Sequence, residues 1–204
     1  MANHVYKGDL PSNIVFNQSV AVDTETLGLN NLRDKLCVVQ LSAGDGNAHL
    51  VQMDRESYDA PNLKKLFEDD SIVKIFHFAR FDVAVVKQYL NVDTKNVYCT
   101  KIASKLCRTY TDCHGLKDIC QELLDKKISK HQQSSDWAAQ ELSNEQIKYA
   151  ASDVLYLHSL VEKLDFMLER EGRREIAQEC FDFILTRAKL DLAGWPEYDI
   201  FAHK

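Results

Sequence analysis

The chain has 204 residues, 45% of them hydrophobic and 27% charged, with a formal net charge of −6; its mean hydropathy is −0.33 and its isoelectric point lies near 5.6. That length fills one core, no apolar run approaches the roughly 20 residues of a membrane helix, and the start Met1-Ala2-Asn3-His4-Val5-Tyr6-Lys7 lacks the layout of a signal peptide. The acidic balance argues against a protein that grips long nucleic acid by counterion release, but not against one that meets phosphate through a bound cation.

In chain order, Gly8-Asp9-Leu10-Pro11 is a turn signal leading into a first strand over residues 19–24. A second strand is expected at 36–42 and a third at 48–53, joined by the turn Gly44-Asp45-Gly46-Asn47 into an antiparallel meander. Helical and extended patterns then alternate: helix 63–68 behind Pro61, strand 72–76, helix 80–90, strand 96–99, helix 100–107. After a meander this order implies a mixed sheet flanked by helices, its last strands parallel to its first. Beyond residue 109 only helices are expected, at 116–124, from Ser143 to about 170, and at 175–190, with a polar loop at 126–136. Ser143 and Gln146 have capping-box spacing, and Gly172 breaks the long helix. The whole, an α/β fold with an all-helical C-terminal half, is read as one domain over 1–204. The aromatic tail around Trp195, Tyr198 and Phe201 is expected to dock on its own domain or on a neighbouring subunit. Six cysteines without a C-x-x-C pair read as reduced thiols of a cytoplasmic protein, and Cys107, Cys113, His114 and Cys120 fit no zinc spacing.

The stretch Val20-Ala21-Val22-Asp23-Thr24-Glu25 sets two carboxylates at the end of an apolar strand. Residues i and i+2 share a face, so Asp23 and Glu25 project together, and two like charges against a core call for a counter-cation. Taken alone, such a pair reads first as an ordinary acidic turn at a strand end. Asp82 falls in the first turns of the helix after strand 72–76, where it serves either a site or the helix dipole. Tyr149 and Asp153 stand four apart on the long helix and face the same way; Ala150, Ala151, Val154, Leu155 and Leu157 make the surroundings of Asp153 unusually apolar.

The combination is more specific than its parts. A D-x-E at the first strand end, His77-Phe78-Ala79-Arg80-Phe81-Asp82 after the fourth, and Tyr149 with Asp153 on a late helix resemble the DEDD exonucleases of the ribonuclease H-like fold. The tyrosine marks the DEDDy subgroup that includes ribonuclease D. Thr26-Leu27-Gly28-Leu29, residues 98–104, Arg108-Thr109-Tyr110-Thr111 and the ending Asp199-Ile200-Phe201-Ala202-His203 are similar to its short, single-domain nanoRNase C group. The helical RNA-binding domains that follow the catalytic core of ribonuclease D are not expected here.

This resemblance implies a 3′–5′ exoribonuclease that hydrolyses short RNA, particularly dinucleotides, to nucleoside 5′-monophosphates. Asp23, Glu25, Asp82 and Asp153 would hold two divalent cations, Mg²⁺ or Mn²⁺, about 4 Å apart, and Tyr149 would orient the attacking water. It implies a homo-oligomer of dimers assembled into an octamer, and no membrane. Thr24 and Thr26 lie where a terminal ribose would sit. Leu27 either wedges against the last bases or anchors the turn. His77 is either a sugar or phosphate contact or a satisfied strand-end histidine. Gln133 and Trp137 fall in the loop where a substrate wall belongs, with Trp137 equally a core residue. Arg108 and His114 belong to a basic and aromatic group that receives a 5′ phosphate, meets another subunit, or is solvated surface. Trimming of longer RNA or DNA ends is the nearest alternative; a non-catalytic binding module is the remote one.

Overall fold

The computed structural model describes residues 2–129, 132 and 135–203. Its centre is a mixed six-stranded sheet built from β1 (Asn3–Lys7), β2 (Ser19–Thr26), β3 (Leu36–Ser42), β4 (Ala48–Gln52), β5 (Val73–Phe76) and β6 (Val97–Cys99), in the order β1-β4-β3-β2-β5-β6. The meander β2-β3-β4 is antiparallel, and β5 and β6 run parallel to β2, as the sequence implies. Every residue of β3 is buried, which fits a central strand rich in β-branched side chains and covered on both faces.

The sequence reading places no strand before residue 19, yet β1 pairs in parallel with β4 from Asn3↔Ala48 to Lys7↔Gln52. Its Asn-His-Val-Tyr-Lys run is mostly exposed and has no apolar alternation. The open edge of β4, not the propensity of residues 3–7, therefore determines this strand.

Seven helices follow among the described residues: α1 (Pro61–Glu68), α2 (Ala79–Leu90), α3 (Thr100–Cys107), α4 (Leu116–Leu124), α5 (Asn144–Leu155), α6 (Leu157–Arg170) and α7 (Arg174–Leu192). The single helix expected over 143–170 is two, divided at Tyr156. Its two halves serve different partners: α5 crosses β1 to β4, whereas α6 packs on α3, α4 and α7. A straight rod could not meet both. The predicted capping box is formed, Gln146 N donating to Ser143 Oγ at 3.2 Å and Ser143 N to Gln146 Oε1 at 2.9 Å.

α7 is clamped to α2 by Arg80, whose guanidinium makes two bonds to Asp191 at 2.6 and 2.8 Å, and Arg187 shares that carboxylate. The same two arginines donate to the tail carbonyls of Pro196 and Trp195, so the tail docks within its own chain. Lys74 is wholly buried on β5 and donates to Asp69 O and Ile72 O at 2.5 and 2.6 Å. Asp69 is the C-cap of α1, so the ammonium fastens the turn between α1 and β5 through two of its carbonyls. All six cysteines are free, and no described helix is long and apolar enough to cross a membrane.

Candidate active site

β2 carries Asp23 and Glu25 on one face, and a bulge between Glu25 and Thr26 ends its regular pairing with β3. The bulge bends the strand end away from the sheet and opens it to solvent. α5 lies over that face and lowers Asp153 onto the pair. Asp23, Glu25 and Asp153 each offer an oxygen within 4.8 Å of the others.

Asp82 comes from the opposite side. It is buried in the first turn of α2, where its Oδ1 accepts a hydrogen bond from Thr24 Oγ1 at 2.7 Å. Thr24 leaves the strand on the face opposite Asp23, and Asp82, held by Thr24, stays close enough to Asp23 and Glu25 for the charges to act on one another. α2 itself begins under constraint. Phe78, its N-cap, has φ of 72°, a left-handed conformation that few bulky residues adopt, and its exposed ring projects beside the cleft.

The electrostatics follow from this crowding. Burial pushes the Asp23 carboxyl up to about 7. Burial, then the charges of Asp23, Asp153 and Asp82, push Glu25 up to about 10. Asp82 and Asp153 are also raised well above the carboxylate range, by burial first and by Asp23 second. Four acids that hold one another's protons on are a poor arrangement without a cation and a good one with it. Their hard oxygen donors fit a hard divalent metal. Burial, followed by Asp153 and Glu25, raises the Tyr149 phenol above its already high ordinary value, so its hydroxyl stays protonated at neutral pH.

These groups open into a cleft of about 650 Å³. Thr24, Thr26, Leu27, His77, Trp137, Tyr149 and Asp153 all line it. Leu27 is 50% exposed and so is no core anchor. Thr26 Oγ1 donates to Gly28 O, which fixes the turn behind Leu27. His77 pairs through Nδ1 with Thr100 Oγ1 at 2.9 Å. Trp137 is buried to 2% exposure, as its core reading has it, and its ring lies 6.0 Å from that of Tyr149.

Two expected contacts stand elsewhere. Arg108 is 0% exposed; it donates to Ser104 Oγ and Cys113 O at 2.9 Å and pairs with Glu122, so its guanidinium is engaged within the fold. His114 is half-buried, bonded through Nδ1 to Ser104 Oγ at 2.9 Å, and does not line the cleft, though its neighbours Gly115, Leu116 and Lys117 do. Gln133 lies outside the described residues. Conversely, the sequence reading gave no role to Lys101, Phe78 and Phe81, which line the cleft. Lys101 Nζ lies 4.4 Å from the centre of the Phe78 ring. The only sequence signal for Lys101 was its place just after the strand that ends at Cys99.

Comparison with known proteins agrees with this geometry. A family model described as 3′–5′ exonuclease matches residues 9–169. Ribonuclease D of Acidiphilium cryptum is 32% identical over 162 residues, which are 79% of this chain and 41% of that protein. The chain thus spans about two-fifths of the length of that relative. Among solved structures, Brucella melitensis NrnC with bound Mg²⁺ is 56% identical and superposes with a TM-score of 0.95 over 100% of both chains. The same protein bound to pGG gives 57% and 0.96, again over both whole chains. The mixed sheet and its helices are thus those of the ribonuclease H-like exonucleases, and the chain belongs to the 3′–5′ exonuclease family.

Proposed function

We propose that the protein is a divalent-metal-dependent 3′–5′ exoribonuclease acting on short RNA, down to dinucleotides, and releasing nucleoside 5′-monophosphates. The observation that carries this reading is the convergence of Asp23, Glu25 and Asp153 within 4.8 Å at the floor of the cleft. Asp23, Glu25, Asp82 and Asp153 hold two cations, Mg²⁺ or Mn²⁺. When bound, such ions lower the pKa of water and neutralise charge on the phosphate and the departing 3′ oxygen.

The remaining work belongs to the chain. Tyr149 Oη orients the attacking water along the line opposite the leaving oxygen; with its own proton held on, it positions that water and does not serve as an ionised base. The attacking water gives one proton to solvent as its oxygen bonds to phosphorus, the bond from phosphorus to the 3′ oxygen breaks, and the 3′ oxygen takes one proton from solvent, so the proton count is unchanged. Thr24 holds Asp82, Thr26 and His77 border the terminal ribose, and Leu27 and Trp137 wall the bases with sequence-tolerant apolar surface. Among the described residues, Lys101 and Lys117 are the cations that line the cleft. So few positive groups, with a net charge of −6, support a small substrate over a long strand. The pGG bound by Brucella NrnC supports the same size.

Assembly into a homo-oligomer is part of this proposal. An apolar groove of about 530 Å³ between α3 and α7 is lined by Ile176, Phe183 and Phe201 and shares Phe78 and Lys101 with the cleft. Six unpaired cysteines suit a reducing, cytoplasmic setting. The test is turnover of labelled RNAs of two, five and twenty nucleotides and matching DNA with Mg²⁺. Preference for the dinucleotide is expected; equal or faster cleavage of the long RNA or of DNA removes the size or sugar claim.

A further inference from the structure

Gln40 occupies the middle of β3 with an exposure of 0%. The register sets it across from Asp23 on β2 and from Leu50 on β4. Directly opposed residues of an antiparallel pair leave the same face, their Cβ atoms about 5 Å apart. The Gln40 side chain therefore shares the face of Asp23 and Glu25, beneath α5. Among the described residues neither its Oε1 nor its Nε2 has a hydrogen-bond partner.

The other buried glutamines differ: Gln52 accepts from Lys7 Nζ at 2.6 Å and donates to Ala139 O at 2.5 Å. Gln146 accepts from Ser143 N and donates to Asp136 O, both at 2.9 Å. Ser42, the next residue on the same face of β3, donates to Asn47 O at 2.7 Å. A buried carboxamide without partners is costly, and a leucine would fill the same space without that cost. The neighbour able to satisfy it is the carboxylate directly opposite.

We propose that Gln40 is a positioning residue for Asp23. Its Nε2, which makes no direct bond to that carboxylate in this structure, donates to it through one buried water and fixes the orientation of the oxygen presented to the cation. A donor behind a metal-ligating carboxylate holds its orientation, as outer-shell partners of metal ligands do. The proposal rests on Asp23 being a metal ligand, as argued under Proposed function.

The test is calorimetric titration of Mn²⁺ into the metal-free protein, as wild type, Gln40→Leu and Gln40→Met, with the melting temperature of each metal-free form. The expected result is a 10- to 100-fold loss of Mn²⁺ affinity in both variants, in line with other groups that orient metal ligands. The metal-free melting temperature should be unchanged or higher, and kcat should fall while KM for a dinucleotide holds. Gln40→Met keeps the length of the side chain and gives the reading if Gln40→Leu does not fold. Wild-type affinity in the variants, whatever their stability, overturns the proposal alone. A wild-type protein that takes up no Mn²⁺ overturns the metal-site reading and this proposal with it.

Discussion

Thr24 Oγ1 donates to Asp82 Oδ1 over 2.7 Å and ties the strand that carries Asp23 and Glu25 to the helix that carries Asp82. The bond joins residues 58 positions apart and is buried. Thr24→Val keeps the shape and removes the donor. It should cost about 1 kcal/mol of stability and lower kcat, with KM little changed. Thermal melts and steady-state kinetics check this, and an unchanged kcat would show that the bond does not set Asp82.

The crowded acids give the metal-free protein a particular response to pH. Asp23 rises from an ordinary 3.8 to about 7 in the fold, and Glu25 from 4.5 to about 10. Between those limits the folded chain holds more protons than the unfolded one, so stability is greatest near pH 4 and falls as pH rises through 7 toward 10. Metal uptake expels the same protons, so its affinity rises with pH. Melting temperatures with and without Mg²⁺ should diverge as pH goes from 5 to 9. A gap independent of pH would contradict the assignment.

Two substitutions on α5 should separate metal binding from water positioning. Asp153→Asn removes one repelling charge, so the metal-free protein should melt higher at pH 8, while activity falls by about 10³-fold or more. Tyr149→Phe removes only the hydroxyl and should leave a rate lower by about 10²-fold, still measurable, with Mg²⁺ affinity near that of wild type. Loss of metal binding in Tyr149→Phe would assign that residue a different role.

Arg108 is engaged by Glu122, Ser104 and the Cys113 carbonyl. Arg108→Met should therefore destabilise the fold by about 1 kcal/mol, since it takes the donor from buried Ser104 and the ion-pair partner from half-exposed Glu122. KM for a 5′-phosphorylated dinucleotide should not change at a temperature where the variant is folded. A large rise in KM without loss of stability would return Arg108 to the substrate.

The sequence carried the site further than it carried the surroundings. Period-2 and period-4 spacing put Asp23 with Glu25, and Tyr149 with Asp153, on one face of each element, but only their joint resemblance to the DEDDy exonucleases gave them roles. The break at Tyr156 was not legible, because nothing local stops the helix there; the need to pack on two different layers does. β1 was invisible for a similar reason, being held by the edge of β4. The readings of Arg108 and His114 rested on charge and neighbourhood, which cannot tell a buried ion pair from a waiting phosphate site. Gln40 looked like one more residue of a central strand, and only the register set it opposite Asp23.

The most direct test follows a 5′-labelled RNA pentanucleotide through time with Mg²⁺, with chelator, and with the Asp153→Asn variant. With Mg²⁺ the label should step down one nucleotide at a time from the 3′ end, releasing nucleoside 5′-monophosphates, and both controls should leave the pentanucleotide intact. Cleavage that persists in chelator or in Asp153→Asn, or products that keep a 3′ phosphate, would contradict a metal-dependent 3′–5′ exonuclease built on these carboxylates.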